Sequence, residues 1–298
     1  MYQADINAII EFLKKQLQPT TTTQGMDWLD KKLELLNSSG ARDKDLYLAF
    51  SATPRFVGKN KLQLSKADVQ QANDLRTGFN PSSWTSDQTA RTLLLLSLPH
   101  SDAEAFQQKI EKLFDTADMG EQVALYGSLP LLPHPELFKP RASEGVRTNI
   151  GSVFEAVVLD NPFSADYMEE DAWNQLVLKT IFVGKPINQI YGIDRRSNSK
   201  LAHMLSDYAH ERWAAGRSVT PELWRPVGPF IDATILKDIK KLFSLPEEVQ
   251  HEAAALACVQ SNFAPAIALL NEHPDLKTRI EADELNWQQI SDKALALN

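Results

Sequence analysis

The sequence has a single cysteine, Cys258, so no internal disulfide can form. It falls among alanines and a leucine in EEVQHEAAALACVQ, on a helical pattern, where a lone thiol behaves as a small buried hydrophobe. Glycine is sparse too: 12 in 298 residues is too few for a turn-rich β fold, and no alternating run reads as a strand. Long apolar runs are missing. The longest, TLLLLSL from Thr92 to Leu98, is about a third of the roughly 20 residues needed to cross a bilayer, so direct membrane insertion is not expected. Basic residues are outnumbered, 31 Lys and Arg against 39 Asp and Glu, giving a net charge of -8 and a pI near 5.3. That balance opposes phosphate neutralisation and argues against nucleic acid as a partner. Finally, the chain has no GxGxxG, no Walker P-loop, no HExxH, no CxxC and no GxSxG; YGSLP at Tyr126 lacks the paired glycines of a nucleophile elbow. The common routes to hydride transfer, nucleotide hydrolysis and acyl transfer are unsupported.

Apolar residues at helical spacing fill the chain instead. The start, MYQADINAIIEFLKKQLQ, places Ile6, Ile9, Ile10, Leu13 and Leu17 on one helical face, with Asp5 and Glu11 early. A secretory leader begins basic and continues apolar without charge, so this segment reads as a folded amphipathic helix and the protein as cytoplasmic. The same periodicity predicts helices over 3–17, 26–37, 43–52, 65–77, 86–98, 102–115, 119–129, 146–160, 168–183, 198–215, 232–243, 246–260, 264–272 and 284–296. Ser65, Ser86 and Ser101 supply start signals, and Gly184 with Pro186 a stop. The expected fold is an all-α, irregular HEAT-like helical stack, α-solenoid-like, in one continuous domain. Its N-terminal half, about 1–129, is irregular; its C-terminal half, about 141–298, carries the pairs 146–160 with 168–183, 198–215 with TPELWR, and 232–243 with 246–260. GFNPSS at 78–83 and Pro130, Pro133, Pro135 and Pro140 punctuate it.

Residues 145–230 hold the candidate chemistry. On the helix carrying Leu201, Leu205, Tyr208 and Arg212 as its inward stripe, His203, Asp207 and His210 share another face. Helical His pairs chelate zinc when a third ligand converges, but this face points away from the core, and a solvated or capping role is the simpler expectation. Glu169, Glu170 and Asp171 open the Trp173 helix, where carboxylates complement the helix dipole. Arg195 and Arg196 in GIDRRSN, with Arg141 and Arg147, are candidate anion contacts because a guanidinium fork matches carboxylate or phosphate; bridging to acids between helices is the competing role. Trp173, Trp213 and Trp224 sit on separate segments, able to meet in the core or to line a groove, and Asn149, Asn161, Asn174 and Lys179 add polar groups near them.

Four blocks together resemble the EboA family of metabolite traffic proteins: LYLAFSATPRFVGK at 46–59, ALYGSLPLLPHPELFKPRASEGVRTNIGSVFEAVVLDNPF at 124–163, EDAWNQLVLKTIFVGKPINQIYGIDRRSN at 170–198 and DYAHERWAAGRSVTPELWRPVGPF at 207–230. The phrases AWNQ, DRR and YAHERWAAGR carry it most specifically. Asp207 and His210 fall inside these blocks; His203 does not. The resemblance implies a part in handling a secondary metabolite, or its precursor, between cytoplasm and envelope alongside other ebo-cluster proteins. It implies no known reaction, cofactor or metal. The matching positions Arg55, Arg147, Asn161, Asp171, Trp173, Asn174, Arg195, Arg196, His210, Arg212 and Trp213 are the expected binding residues, and the expected function is non-catalytic binding or adaptor work. The rival expectation is an enzyme using His210 with Asp171 or Asp207 as acid and base.

Overall fold

The computed structural model describes residues 5–38 and 40–296. Among these the chain is all-α, with seventeen α-helices, short 3-10 turns, no strand and an isolated antiparallel bridge between Lys61 and Thr85. It divides into two compact units, one up to Met168 and one from Glu169 onward. None of the described helices is long and apolar enough to cross a membrane.

The first unit contains α1 (Ile6–Leu17), α2 (Thr23–Leu36), α3 (Asp43–Val57), α4 (Lys66–Leu75), α5 (Ser86–Leu96), α6 (Ala103–Thr116), α7 (Met119–Ser128), α8 (Lys139–Arg147), α9 (Gly151–Val158) and α10 (Phe163–Tyr167). Its main packing joins alternate helices, α3 on α5, α5 on α7 and α7 on α9, with α1 also on α5. Every residue of α5 is buried, including Asp87 and Arg91. Those charges survive burial because Arg91 Nη1 lies 3.0 Å from Asp87 Oδ2 and Arg91 Nε donates to Phe50 O at 3.0 Å.

Local signals set most boundaries. Ser65 Oγ accepts from Asp68 N while Asp68 accepts from Ser65 N, a capping box that starts α4 as the sequence indicates. α5 starts at Ser86 as expected, with Thr85 at its N-cap, whereas α6 starts one residue later than expected because Asp102, not Ser101, accepts from Ala105 N to cap it. The single helix expected over 146–160 is two. Thr148 Oγ1 accepts from Ile150 N at 3.2 Å, a local turn that competes with helix continuation, and Pro140 lies in the first turn of α8, where its missing N–H costs nothing. The expected beginning of the first helix, at residue 3, lies outside the described residues.

The second unit contains α11 (Glu170–Phe182), α12 (Ser199–Ala214), α13 (Ile235–Leu242), α14 (Glu248–Gln260), α15 (Ala264–Asn271), α16 (Pro274–Glu281) and α17 (Trp287–Ala296). Here α13, α15, α16, α17 and the 3-10 turns Pro221–Trp224 and Gly228–Phe230 all pack on α14. The alanine-rich run from Glu252 to Cys258 is buried without a break, because small side chains let neighbours approach from every side. The elements after α12 are therefore gathered largely around one helix; α13 on α14 is one of the expected pairs and packs within this group. Cys258 is fully buried in that run, and burial pushes its thiol up to about 12. Glu252, equally buried, is held by Arg279 Nη2 at 2.7 Å and by Lys293 Nζ at 2.5 Å.

Candidate functional site

Two helices of the second unit end in the same way, and their ends frame a cleft. At the end of α11, Gly184 takes φ +69°, Lys185 N donates to Thr180 O and Gly184 N to Ile181 O. At the end of α12, Gly216 takes φ +68°, Arg217 N donates to Arg212 O and Gly216 N to Trp213 O. Both are left-handed glycine caps that satisfy the last carbonyls and turn the chain sharply away. Arg212 secures the second turn from its side chain, Nε and Nη2 each donating to Ser218 O at 3.2 Å.

The cleft between these ends has a volume of about 790 Å³, within the range of small-molecule sites. Trp213 and Tyr208 give it aromatic surface, and Phe182, 72% exposed, stands on its lining. Trp213 is half-buried and lies against the fully buried Trp224, ring centres 6.0 Å apart and planes 20° apart. Lys241 Nζ sits 3.9 Å from the centre of the Trp213 ring, a cation–π contact. The charged lining is Lys185, Arg212, Arg217 and Lys241 against Glu222 and Glu247, a positive balance in a chain of net charge -8. Glu222 accepts from Ser291 Oγ at 2.5 Å, and burial raises its pKa against that bond. Gln250 closes the far wall: Nε2 donates to Val219 O at 2.9 Å, and its buried Oε1 has no protein partner among the described residues.

Of the residues singled out from sequence, Arg212 and Trp213 line this cleft. The others in the second unit lie outside the cleft lining. Trp173 is in the core with the Arg196 guanidinium 5.1 Å from its ring centre, and Arg195 lies 5.4 Å from the Tyr191 ring centre. Asn174 exchanges amide hydrogen bonds with Asn198, the N-cap of α12, at 3.2 and 2.8 Å. Asp171 pairs with Lys200 at 2.7 Å on the surface. In the first unit Arg55 and Arg147 are exposed, and Asn161 is a buried turn staple, Nδ2 donating to Tyr126 O and Ala156 O and Oδ1 accepting from Phe163 N. Arg141 is a surface hub for Glu111, Asp115 and Glu144.

The carboxylate that His210 meets is neither Asp171 nor Asp207. His210 Nε2 lies 2.6 Å from Asp238 Oδ1, and Ser206 Oγ donates to the other oxygen at 2.6 Å. Asp238 is 7% exposed and His210 49%. His203 pairs with Asp232 at 3.0 Å, so His203, Ser206 and His210 form a row docking α12 to Asp232 and Asp238. No metal-binding group of three or more His, Cys, Asp or Glu occurs among the described residues. Sequence reasoning missed Asp238 and Lys241, which reach α12 only through tertiary packing, and Gln250, which reaches Val219 O in the same way.

No curated protein and no solved structure matches the chain. The family model described as metabolite traffic protein EboA matches residues 9–228, which include the Phe182, Arg212, Trp213 and Arg217 side of the cleft, whereas Lys241, Glu247 and Gln250 lie beyond it. On a match of that length, the chain belongs to the EboA family.

Proposed function

We propose that this protein is a non-catalytic binding or adaptor component of metabolite traffic, acting in the cytoplasm on a small-molecule metabolite or its precursor together with other ebo-cluster proteins. The observation that carries the reading is the cleft of about 790 Å³ in the second unit, where a half-buried tryptophan, a tyrosine and four cationic side chains share one lining. A ring held against Trp224 is a preformed stacking surface, and the αL glycine caps fix the turns beside it without occupying space. The bond from His210 to buried Asp238 is the one feature that favours acid–base chemistry. Asp238 also accepts from Ser206, which fits a clamp between helices better than an oriented base.

Nitrogen-15 spectra of the six tryptophan indoles, assigned by single Trp→Phe replacements, test this reading with a set of planar cationic, neutral and anionic fragments. The expected result is a saturable shift of the Trp213 indole signal with at least one charge class. If no fragment of any class moves that signal in the folded protein, the binding reading is wrong.

A further inference from the structure

The cleft lining contains a more specific statement about its ligand. Lys241 Nζ lies 3.9 Å from the Trp213 ring centre on an exposed side chain, while Trp224 backs Trp213 at 6.0 Å. The Lys241 ammonium therefore lies over the Trp213 ring, with His210 tilted against it at 6.0 Å between ring centres. Arg217 follows the αL glycine of the same wall, and Arg212 is tied by two bonds to Ser218 O. Of the two lining carboxylates, Glu222 is turned toward Ser291, leaving Glu247 as the acidic group on the lining outside such a bond. A neutral or cationic ring entering here would have to displace the Lys241 ammonium from the indole without giving it a counter-charge. An anionic ring replaces the cation–π contact with stacking and gives the displaced ammonium a counter-charge.

Resting on the binding reading above, we infer that the cleft selects planar aromatic or conjugated anions, such as carboxylates or sulfonates, with the ring against Trp213 and the anionic group paired to Lys241 and Arg217. Arg212 positions the wall.

Two fluorescent probes with the same ring system separate the ideas: 1-anilinonaphthalene-8-sulfonate, which is anionic, and N-phenyl-1-naphthylamine, which is neutral. The sulfonate is expected to bind on the order of tenfold more tightly or better, with an affinity that falls as salt rises, since ion pairs at a partly open site are screened. Lys241→Gln and Arg217→Gln are each expected to weaken the sulfonate several-fold; Arg217→Gln leaves the neutral probe unchanged, Lys241→Gln, which removes the ammonium a neutral ring must displace, leaves that probe's affinity unchanged or higher, and Lys241→Arg retains sulfonate binding. Both lysine and arginine here are exposed, so neither change threatens folding. Trp213→Phe keeps a ring and is expected to keep both probes; Trp213→Ala is expected to weaken both. Equal or tighter binding of the neutral probe, or sulfonate binding indifferent to both glutamine variants, overturns the charge selection while the binding reading stands. Failure of both probes to bind removes the two together.

Discussion

Trp213 and Trp224 lie 6.0 Å apart at 20°, one half-buried on the cleft lining and the other wholly in the core of the second unit. The pair couples the recognition surface to the packing beneath it, so the two rings differ in what their loss does. Trp224→Ala is expected to destabilise the fold by about 3–5 kcal/mol, the usual cost of a large cavity. Trp213→Ala is expected to cost clearly less in urea unfolding while abolishing the ring contact of any ligand. A reversed order of the two would contradict the burial.

Asn174 and Asn198 form a second pair with a measurable signature. Their amides exchange two hydrogen bonds, and Asn198 Oδ1 also accepts from Leu201 N at 2.9 Å to cap α12. Asn174→Ala strands part of the Asn198 amide, Asn198→Ala loses the cap as well, and each is expected to cost about 1–3 kcal/mol. Because the same bonds are lost in either case, the double variant should fall short of the sum by roughly 0.5–3 kcal/mol in a denaturation cycle. Strict additivity would show that the amides do not interact.

His203 predicts a pH dependence. Its Nδ1 lies 2.8 Å from Ser199 O and its Nε2 3.0 Å from Asp232, so only the doubly protonated ring donates to both acceptors. Its pKa is raised, first by the Ser199 carbonyl and then, against partial burial, by Asp232 and the charge of Asp207. Asp232 is held below the ordinary carboxylate range, chiefly by the Ile235 and Thr234 amides, with burial opposing and His203 adding to them. A raised folded pKa stabilises most below the unfolded value of about 6.5 and loses that contribution as pH rises through the folded value. Stability should therefore step down as pH rises from about 6.5 through the raised folded value, by no more than the roughly 0–1 kcal/mol of an exposed pair, and His203→Gln should remove the step. A thermal-denaturation profile identical in the two proteins from pH 5 to 9 would refute it.

The helices were legible because a buried stripe repeats every three to four residues, and Trp213 and Arg212 were legible because they stand in a distinctive phrase, YAHERWAAGR. What stayed hidden follows from physics. α16 has no buried residue and so writes no apolar stripe, and α10 is five residues long, too short for a period to show. The partner of His210 lies 28 residues away, and Lys241 lies as far from Trp213. Both meet α12 because α13 docks there, which no local pattern records. Asn161 and Asn174 read as binding donors from sequence, whereas their bonds close turns and helix starts.

Gly216 and Gly228 are required for different reasons, and replacement separates them. Gly216 has φ +68° with nothing within 4 Å of the point a Cβ would occupy, so its demand is on the backbone alone. Gly216→Ala is expected to cost about 1–2 kcal/mol, and Gly216→Asn less, because asparagine enters the left-handed region more readily. Gly228 does not have a positive φ, but a Cβ there would meet Gln260 Oε1 at 2.6 Å and the Ala257 backbone at 2.9 Å. Since α14 backbone cannot yield as a side chain does, Gly228→Ala is expected to cost about 1–3 kcal/mol and Gly228→Asn more, the opposite ranking. Melting temperatures of the four variants decide it, at roughly 2–4 °C per kcal/mol for a domain of this size. Asparagine milder than alanine at Gly228, or harsher at Gly216, would show that the cap and the close approach have been assigned the wrong way round.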